Sequence, residues 1–396
     1  MTSRSNRLET LAFGFAFFAS VLGFASIAAS QICFGAAVAL WLAARKPFEM
    51  PPLKGPLLFF MGWTILSAFV SVDHAAALPQ IKKMLVFGVL PVIYTLFQTT
   101  SAARRLMEGW FAIGFITVSV SFVQFYFKWR ESISRGEPFL QDYLIDRITG
   151  LMSHWMTFSE TTVLILAMLA SYVLFRDRAR RGGAIWALLT VWIVAGIALS
   201  WTRSAWIATT VLSVYFVWFW KPRLLWLGLI PLSALPFILS QPAVTSRVDS
   251  RIIMWRTGAR MIQDHPVFGV GPERVGPTFM DYLPPDVPKE LPDAYYAHLH
   301  NTFVHYAAER GLPIVLALLW LFGKVLWDMS AALRRAPPGP GDERFLLHGT
   351  IAATIAFLIV CMTNVSMGDS EVLGAWLAIV AVGYRAKQSV GSIGQS

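Results

Sequence analysis

Arg203 stands in the short polar patch Ser200-Trp201-Thr202-Arg203-Ser204 between two apolar runs. A guanidinium in so short a turn is costly unless it snorkels to the membrane interface, pairs, or faces a polar cavity. The chemical alternative to snorkelling is phosphate recognition, because a forked, permanently charged group matches a cluster of anionic oxygens. His300 lies in His298-Leu299-His300-Asn301-Thr302, where the chain is about to re-enter an apolar run. An imidazole there is either a hydrogen-bonded surface group or a general base, since its ordinary pKa needs only a small adjustment. His298 and His305 read as satellites, and their seven-residue spacing predicts one shared helical face. Arg251, Arg256 and Arg260 are each either a solvated or headgroup-facing cation or an anion ligand. Asp369 and Glu371 fit equally a solvated turn or carboxylates that orient an Arg or His.

Other chemistries have no residues to carry them. No Asp-x-Asp pair, EF-hand, Walker loop, Gly-x-Ser-x-Gly elbow or Cys/His zinc spacing occurs. Cys33 and Cys361 both sit inside apolar runs, where they pack as small hydrophobes. No metal and no cofactor is therefore expected.

The elements that must position these residues are membrane helices. In a chain of 396 residues, 56% are hydrophobic, only 14% are charged and the mean hydropathy is +0.57. Charges fall in short clusters between apolar runs of about twenty residues, the length that crosses the hydrocarbon layer. Candidate spans are 8–27, 29–44, 56–72, 84–98, 106–127, 151–175, 184–199, 205–220, 224–239, 312–328, 346–366 and 368–385. The fold expected is all-α, a polytopic bundle of about 12 helices. Residues 1–239 would hold the first nine spans, 240–311 a large, partly helical loop, and 312–396 the last three spans and a tail. Met1 to Arg7 and the following apolar stretch look like a retained first span, without a clear cleavage site.

Lys and Arg set the orientation. Arg4, Arg7, Arg45, Lys46, Lys54, Arg104, Arg105, Arg176, Arg178, Arg180, Arg181, Lys221, Arg223, Arg334, Arg335, Arg344, Arg385 and Lys387 fall on the side of the termini, whereas the opposite short gaps hold only Lys82, Lys83 and Arg203. Both termini are thus expected in the cytoplasm, and the loops 128–150 and 240–311 outside it. The same rule accounts for the net charge of +10 without nucleic acid as a partner. Within the second loop, Arg251 to Asp264 has helical periodicity, with Ile252, Trp255, Ala259 and Ile262 on one face and Arg256 and Arg260 on another. Prolines 284, 285, 288 and 292 keep the middle irregular, and Asn301 or a neighbour is expected to start a helix that leads into a span near Gly311 and Pro313.

Four stretches, RITGLMSHWMTFS (147–159), SWTRSAWI (200–207), RIIMWRTGARMIQDHPVFGVGPERV (251–275) and HLHNTFVHYAAERGL (298–312), give the chain a further meaning. From about Arg147 onward it resembles the O-antigen ligase family, which shares a superfamily with O-antigen polymerases and protein O-oligosaccharyltransferases. The family's Arg-x3-Leu motif would be Arg203 followed by Ile207, with Ile for Leu, and its His-x10-Gly motif would be His300 followed by Gly311. His265 and Gly276 have the same spacing, but the His-Asn-Thr-Phe context selects His300.

The resemblance implies a GT-C-like glycosyltransferase of the bacterial inner membrane. Such an enzyme moves a preassembled glycan from undecaprenyl pyrophosphate to a hydroxyl of lipid A core oligosaccharide on the periplasmic side, without a divalent metal. It further implies His300 as base, with Arg203 and Arg251 meeting the growing pyrophosphate charge. Arg147, His154, His298, Arg256, Arg260 and Arg310 are candidates for substrate binding. The second-loop layout and the surroundings of His300 favour ligation over polymerisation, and the short C-terminal segment after Arg385 speaks against a protein O-oligosaccharyltransferase. A twelve-helix secondary transporter would call for ionisable residues inside several spans, yet Lys324 and Glu160 are the main ones.

Overall fold

A computed structural model describes residues 2–136, 138–176, 183–225, 242–291 and 298–393, with the backbone alone at 2–4, 242–249 and 393. The expected span 224–239, Arg178, Arg180, Arg181 and Pro292 lie outside the described residues, apart from the first two positions of that span. Among the described residues the chain is helical with no strand. The helices are α1 (Thr2–Leu22), α2 (Ile27–Ala43), α3 (Lys54–Val70), α4 (His74–Lys83), α5 (Val89–Leu96), α6 (Thr100–Arg135), α7 (Phe139–Ile145), α8 (Trp155–Phe175), α9 (Gly183–Leu199), α10 (Arg203–Trp220), α11 (Pro242–Asp264), α12 (Val275–Thr278), α13 (Thr302–Arg310), α14 (Leu312–Arg335), α15 (Asp342–Cys361) and α16 (Ser370–Ile393).

Five helical segments are long and apolar enough to cross a membrane: His74–Leu96, Thr100–Arg135, Trp155–Phe175, Leu312–Arg335 and Asp342–Cys361. Shorter apolar helices occupy Ile27–Ala43, Lys54–Val70 and Gly183–Leu199. The span expected at 84–98 in fact begins at His74, because α4 runs through the 3-10 segment Met84–Gly88 into α5. The polar stretch 73–83, read as a gap, is a helix capped by Asp73, which accepts from Ala76 N. Likewise the first expected loop, 128–150, is largely helical. The 36 residues of α6 reach about 54 Å, well beyond a hydrocarbon layer of about 30 Å. The helix stops at Gly136, whose φ of +68° makes a left-handed cap.

The centre of the bundle is α8 packed on α15 and flanked by α16. In the most apolar windows of α8 and α15, 83% and 78% of residues are buried, against 33% for His74–Leu96. Small residues allow the close approach: a Cβ on Gly349 would lie 2.6 Å from Met168 Sδ, and one on Gly383 2.4 Å from Thr350 Oγ1. Outward faces carry exposed large apolar side chains such as Ile32, Leu58, Phe69, Ile185, Leu188 and Val191. In water such a surface would drive association, and in lipid it is simply solvated.

One end of the bundle is built differently from the other. The described residues of 242–291 and 298–311 fold over it and are pinned to α3 and α4. Ser67 Oγ donates to Phe268 O (2.8 Å), Trp63 Nε1 to Arg310 O (2.8 Å), and Lys83 pairs with Glu273 (3.3 Å). The opposite end is closed by ion pairs of Arg104 with Asp342 (2.5 Å), Arg385 with Glu49 (2.7 Å) and Lys324 with Asp328 (3.1 Å).

Candidate active site

The histidine segment owes its position to α11. A Cβ on Gly258 would come within 2.6 Å of Leu299 Cδ1 and 2.9 Å of Val304 Cγ1, so only glycine lets the helix seat this segment so closely. Trp255 Nε1 donates to Leu299 O at 3.0 Å. Leu299 is fully buried in a small core with Met254, Met261, Val275 and Phe279. Inward-facing Met254 and Met261, rather than the expected Ile252 and Trp255, thus make the packed face of α11; those two stay 48% and 37% exposed. Just past Leu299, His300 has a φ of +47°, a conformation that costs a non-glycine residue roughly 1–2 kcal/mol. The following residues hold it there. Asn301 caps α13 by accepting from Phe303 N and Val304 N and donates to Met362 O at 3.1 Å, and Thr302 Oγ1 donates to Asn364 O at 2.8 Å.

This turn brings cationic and imidazole groups together. The rings of His298 and His300 have centroids 4.2 Å apart. Burial, then the fields of His298, Arg251, His305 and His154, push His300 down to about 3. Burial and the same neighbourhood of His305 and His154 push His298 down to about 4. His154 is lowered by burial and by Arg147, against the opposing pull of Asp369. At neutral pH all three rings are therefore uncharged proton acceptors. Buried His300 Nδ1 has no hydrogen-bond partner among the described residues. A buried polar atom without a partner carries a penalty that a ligand hydroxyl would remove.

The rim of the cluster is clasped by Arg147. This side chain is 5% exposed, donates from Nη1 to Trp201 O (2.9 Å) and from Nε to Leu144 O (3.3 Å), and lies 5.5 Å over the Trp155 ring. It ties the entry to α8 to the turn between α9 and α10, where Trp201 has a φ of +49° and Arg203 opens α10. The tight turn expected at 200–204 is present. His154 is the N-cap of α8, its Nδ1 accepting from Met156 N at 3.1 Å.

The structure thus brings Arg147, His154, Arg251, His298 and His300 into one neighbourhood and joins Arg203 to it through the Arg147 clasp. Three other candidates are engaged elsewhere. On the far face of α11, Arg256 makes a two-pronged pair with Asp286 (2.7 and 2.8 Å) and Arg260 donates to Leu283 O (2.7 Å), both bracing the irregular stretch after α12. Arg310 is 2% exposed, donates to Gln80 Oε1 (2.8 Å), pairs with Glu309 (3.3 Å) and covers the Tyr306 ring at 4.1 Å. Burial pushes the Glu309 carboxyl up, but His305 and Arg310 together hold it below its ordinary value. His298 and His305 do not share a helical face as their spacing suggested, because α13 starts only at Thr302; the left-handed turn at His300 makes them neighbours.

Sequence reasoning underused three residues. Glu160, 1% exposed within α8, accepts at Oε1 from Asn364 Nδ2 (3.0 Å), and Asn364 in turn hydrogen-bonds His298. Asp369 accepts from Thr157 Oγ1 (2.6 Å) and caps α16 through Glu371 N and Val372 N. A lone carboxylate in the otherwise uncharged α8 was the available signal for Glu160. Among the described residues no group of three or more His, Cys, Asp or Glu side chains is arranged to hold a metal ion.

No curated protein matches the chain. The family model described as O-antigen ligase matches residues 188–319, one third of the sequence. The matched segment runs from α9 into α14 and includes Arg203, Arg251, His298 and His300, whereas Arg147 and His154 precede it. Residues 188–319, which supply Arg203, Arg251, His298 and His300 at this end of the bundle, are thus similar to the O-antigen ligase family.

Proposed function

We propose that the chain is an O-antigen ligase that transfers a preassembled glycan from undecaprenyl pyrophosphate to a hydroxyl of lipid A core oligosaccharide, at the periplasmic end of an inner-membrane bundle. The observation that carries this reading is the meeting, within the matched segment, of Arg251 with the uncharged imidazoles of His298 and His300, the latter with an unpartnered Nδ1 among the described residues. His300 accepts the proton of the acceptor hydroxyl. Its oxygen attacks the anomeric carbon from the side opposite the pyrophosphate, the bond from that carbon to the pyrophosphate oxygen breaks, and the centre is inverted. Negative charge grows on the leaving pyrophosphate, and Arg251 and Arg203 meet it without a metal. Arg147 and His154 shape the rim where donor or acceptor enters. Arg256, Arg260 and Arg310, considered above as substrate ligands, brace the loop that carries the site.

The test uses purified full-length chain with a lipid-linked glycan donor and core oligosaccharide acceptor. His300→Ala should lower turnover by about 10²–10⁴-fold, and Arg251→Ala or Arg203→Ala by about 10²–10³-fold. Transfer at the wild-type rate by any of these variants removes that residue from the mechanism. Deletion in cells, read on lipopolysaccharide gels, separates ligation from polymerisation. Core without attached O-antigen supports a ligase, and core bearing single units overturns it in favour of a polymerase.

A further inference from the structure

A cavity of about 770 Å³ lies away from the imidazoles, between α1, α2, α5 and the start of α16. Its wall is mainly apolar, with Phe24, Phe34, Val38, Phe48, Val89 and Ile93 among the lining residues. Its polar rim is formed by Lys82, Lys83, Ser370 and Glu371. Two chains of contacts connect this rim to the site. Lys83 pairs with Glu273, whose backbone N–H donates to Glu309 Oε1, and Glu309 lies 3.5 Å from His305 Nε2. Ser370 and Glu371 directly follow Asp369, which holds Thr157 and faces His154. Lys82 has no ion-pair partner among the described residues.

An apolar chain gains little by leaving lipid tails for an apolar cavity, since the two solvents are alike. What selects an occupant is the charged rim, where each lysine close to an anionic lipid headgroup is worth about fivefold in binding. We propose that this cavity holds the isoprenoid chain of the lipid-linked donor, with Lys82 and Lys83 receiving its phosphate end at the rim before the pyrophosphate passes on to Arg251 and Arg203. The assignment rests on the ligase reading for the identity of the lipid, but its test does not depend on turnover.

The experiment is photo-crosslinking of the full-length chain in nanodiscs with a diazirine-bearing polyprenyl phosphate, followed by peptide mapping. Label is expected within residues 16–38, 85–93 and 370–375, displaced by unlabelled polyprenyl phosphate. Gly374→Phe should fill the cavity without strain, because a Cβ there meets nothing nearer than Val86 at 3.8 Å. Labelling should fall about tenfold with the melting temperature unchanged, and Lys82→Ala should lower it about fivefold. Label mapping to other helices, or labelling unaffected by Gly374→Phe, overturns the proposal. Equal labelling by a diazirine phosphatidylglycerol that polyprenyl phosphate does not displace also overturns it, by showing bulk lipid in the cavity. Glycan transfer measured on the same preparations keeps the two readings apart. Transfer with label elsewhere overturns the cavity assignment alone, and label in the cavity without transfer overturns the ligase reading alone.

Discussion

His300 is a weak base as it stands, with its conjugate acid pushed down to about 3 by burial and cationic neighbours. Arrival of a diphosphate beside Arg251 replaces that positive field with a negative one and strengthens the base at the moment it is needed. The acid limb of kcat, which reports the enzyme with substrate bound, is therefore expected at a higher pH than the His300 limb of kcat/KM; coincident limbs would contradict the idea. Stability follows with a definite sign. Folded values of about 3 and 4 for His300 and His298 lie below the ordinary 6.5, so the unfolded chain takes up more protons in that window. The stabilisation is complete above pH 6.5 and is lost as pH falls towards 4. Melting temperatures measured from pH 7.5 to 4.5 should drop less steeply for a His298→Asn/His300→Asn double variant than for wild type. An unchanged slope would place the acid sensitivity in other groups.

At the scale of elements, two glycines do different work. Gly311 has a φ of +81°, and a Cβ on it would fall 1.9 Å from Val267 O, because Leu312 N donates to Pro266 O (2.8 Å) and pulls that strap against the end of α13. Gly311→Ala should cost about 1–3 kcal/mol for the backbone alone, visible as a lower melting temperature. Gly258→Val should instead leave α11 intact, displace Leu299 and suppress transfer more than stability. Equal loss of both quantities in both variants would show that Gly258 supports the fold and not the site. Of the two glycines that follow His265 and His300 at the same spacing, Gly311 has a positive φ and Gly276 does not. Asn301 as helix start was readable from its capping chemistry. That α4 runs on into α5 was not, because two lysines and Pro79 disguise a continuous helix as a gap.

For the whole molecule, orientation is the quantity that local contacts leave to the charge distribution. Alkaline phosphatase fused after residue 286 should be active, and fusions after residue 338 or at the C-terminus inactive, if the loop end faces the periplasm. The reverse pattern would move the site to the cytoplasm and end the ligase proposal. Hydropathy made the helical, membrane-spanning character of the chain legible, since it is a property of twenty-residue windows and needs no knowledge of neighbours. Residue type and setting singled out Arg203 and His300, and the family resemblance added Arg251. What only the tertiary structure decided is which polar groups share a neighbourhood. Arg251 and Arg256 are five residues apart on one helix, yet one faces the imidazoles and the other an exposed carboxylate. Arg310 lies in the motif-bearing stretch but is buried against Tyr306 and Gln80. The reason is physical: charge acts through space and its strength depends on burial, and neither separation nor burial is a function of position along the chain.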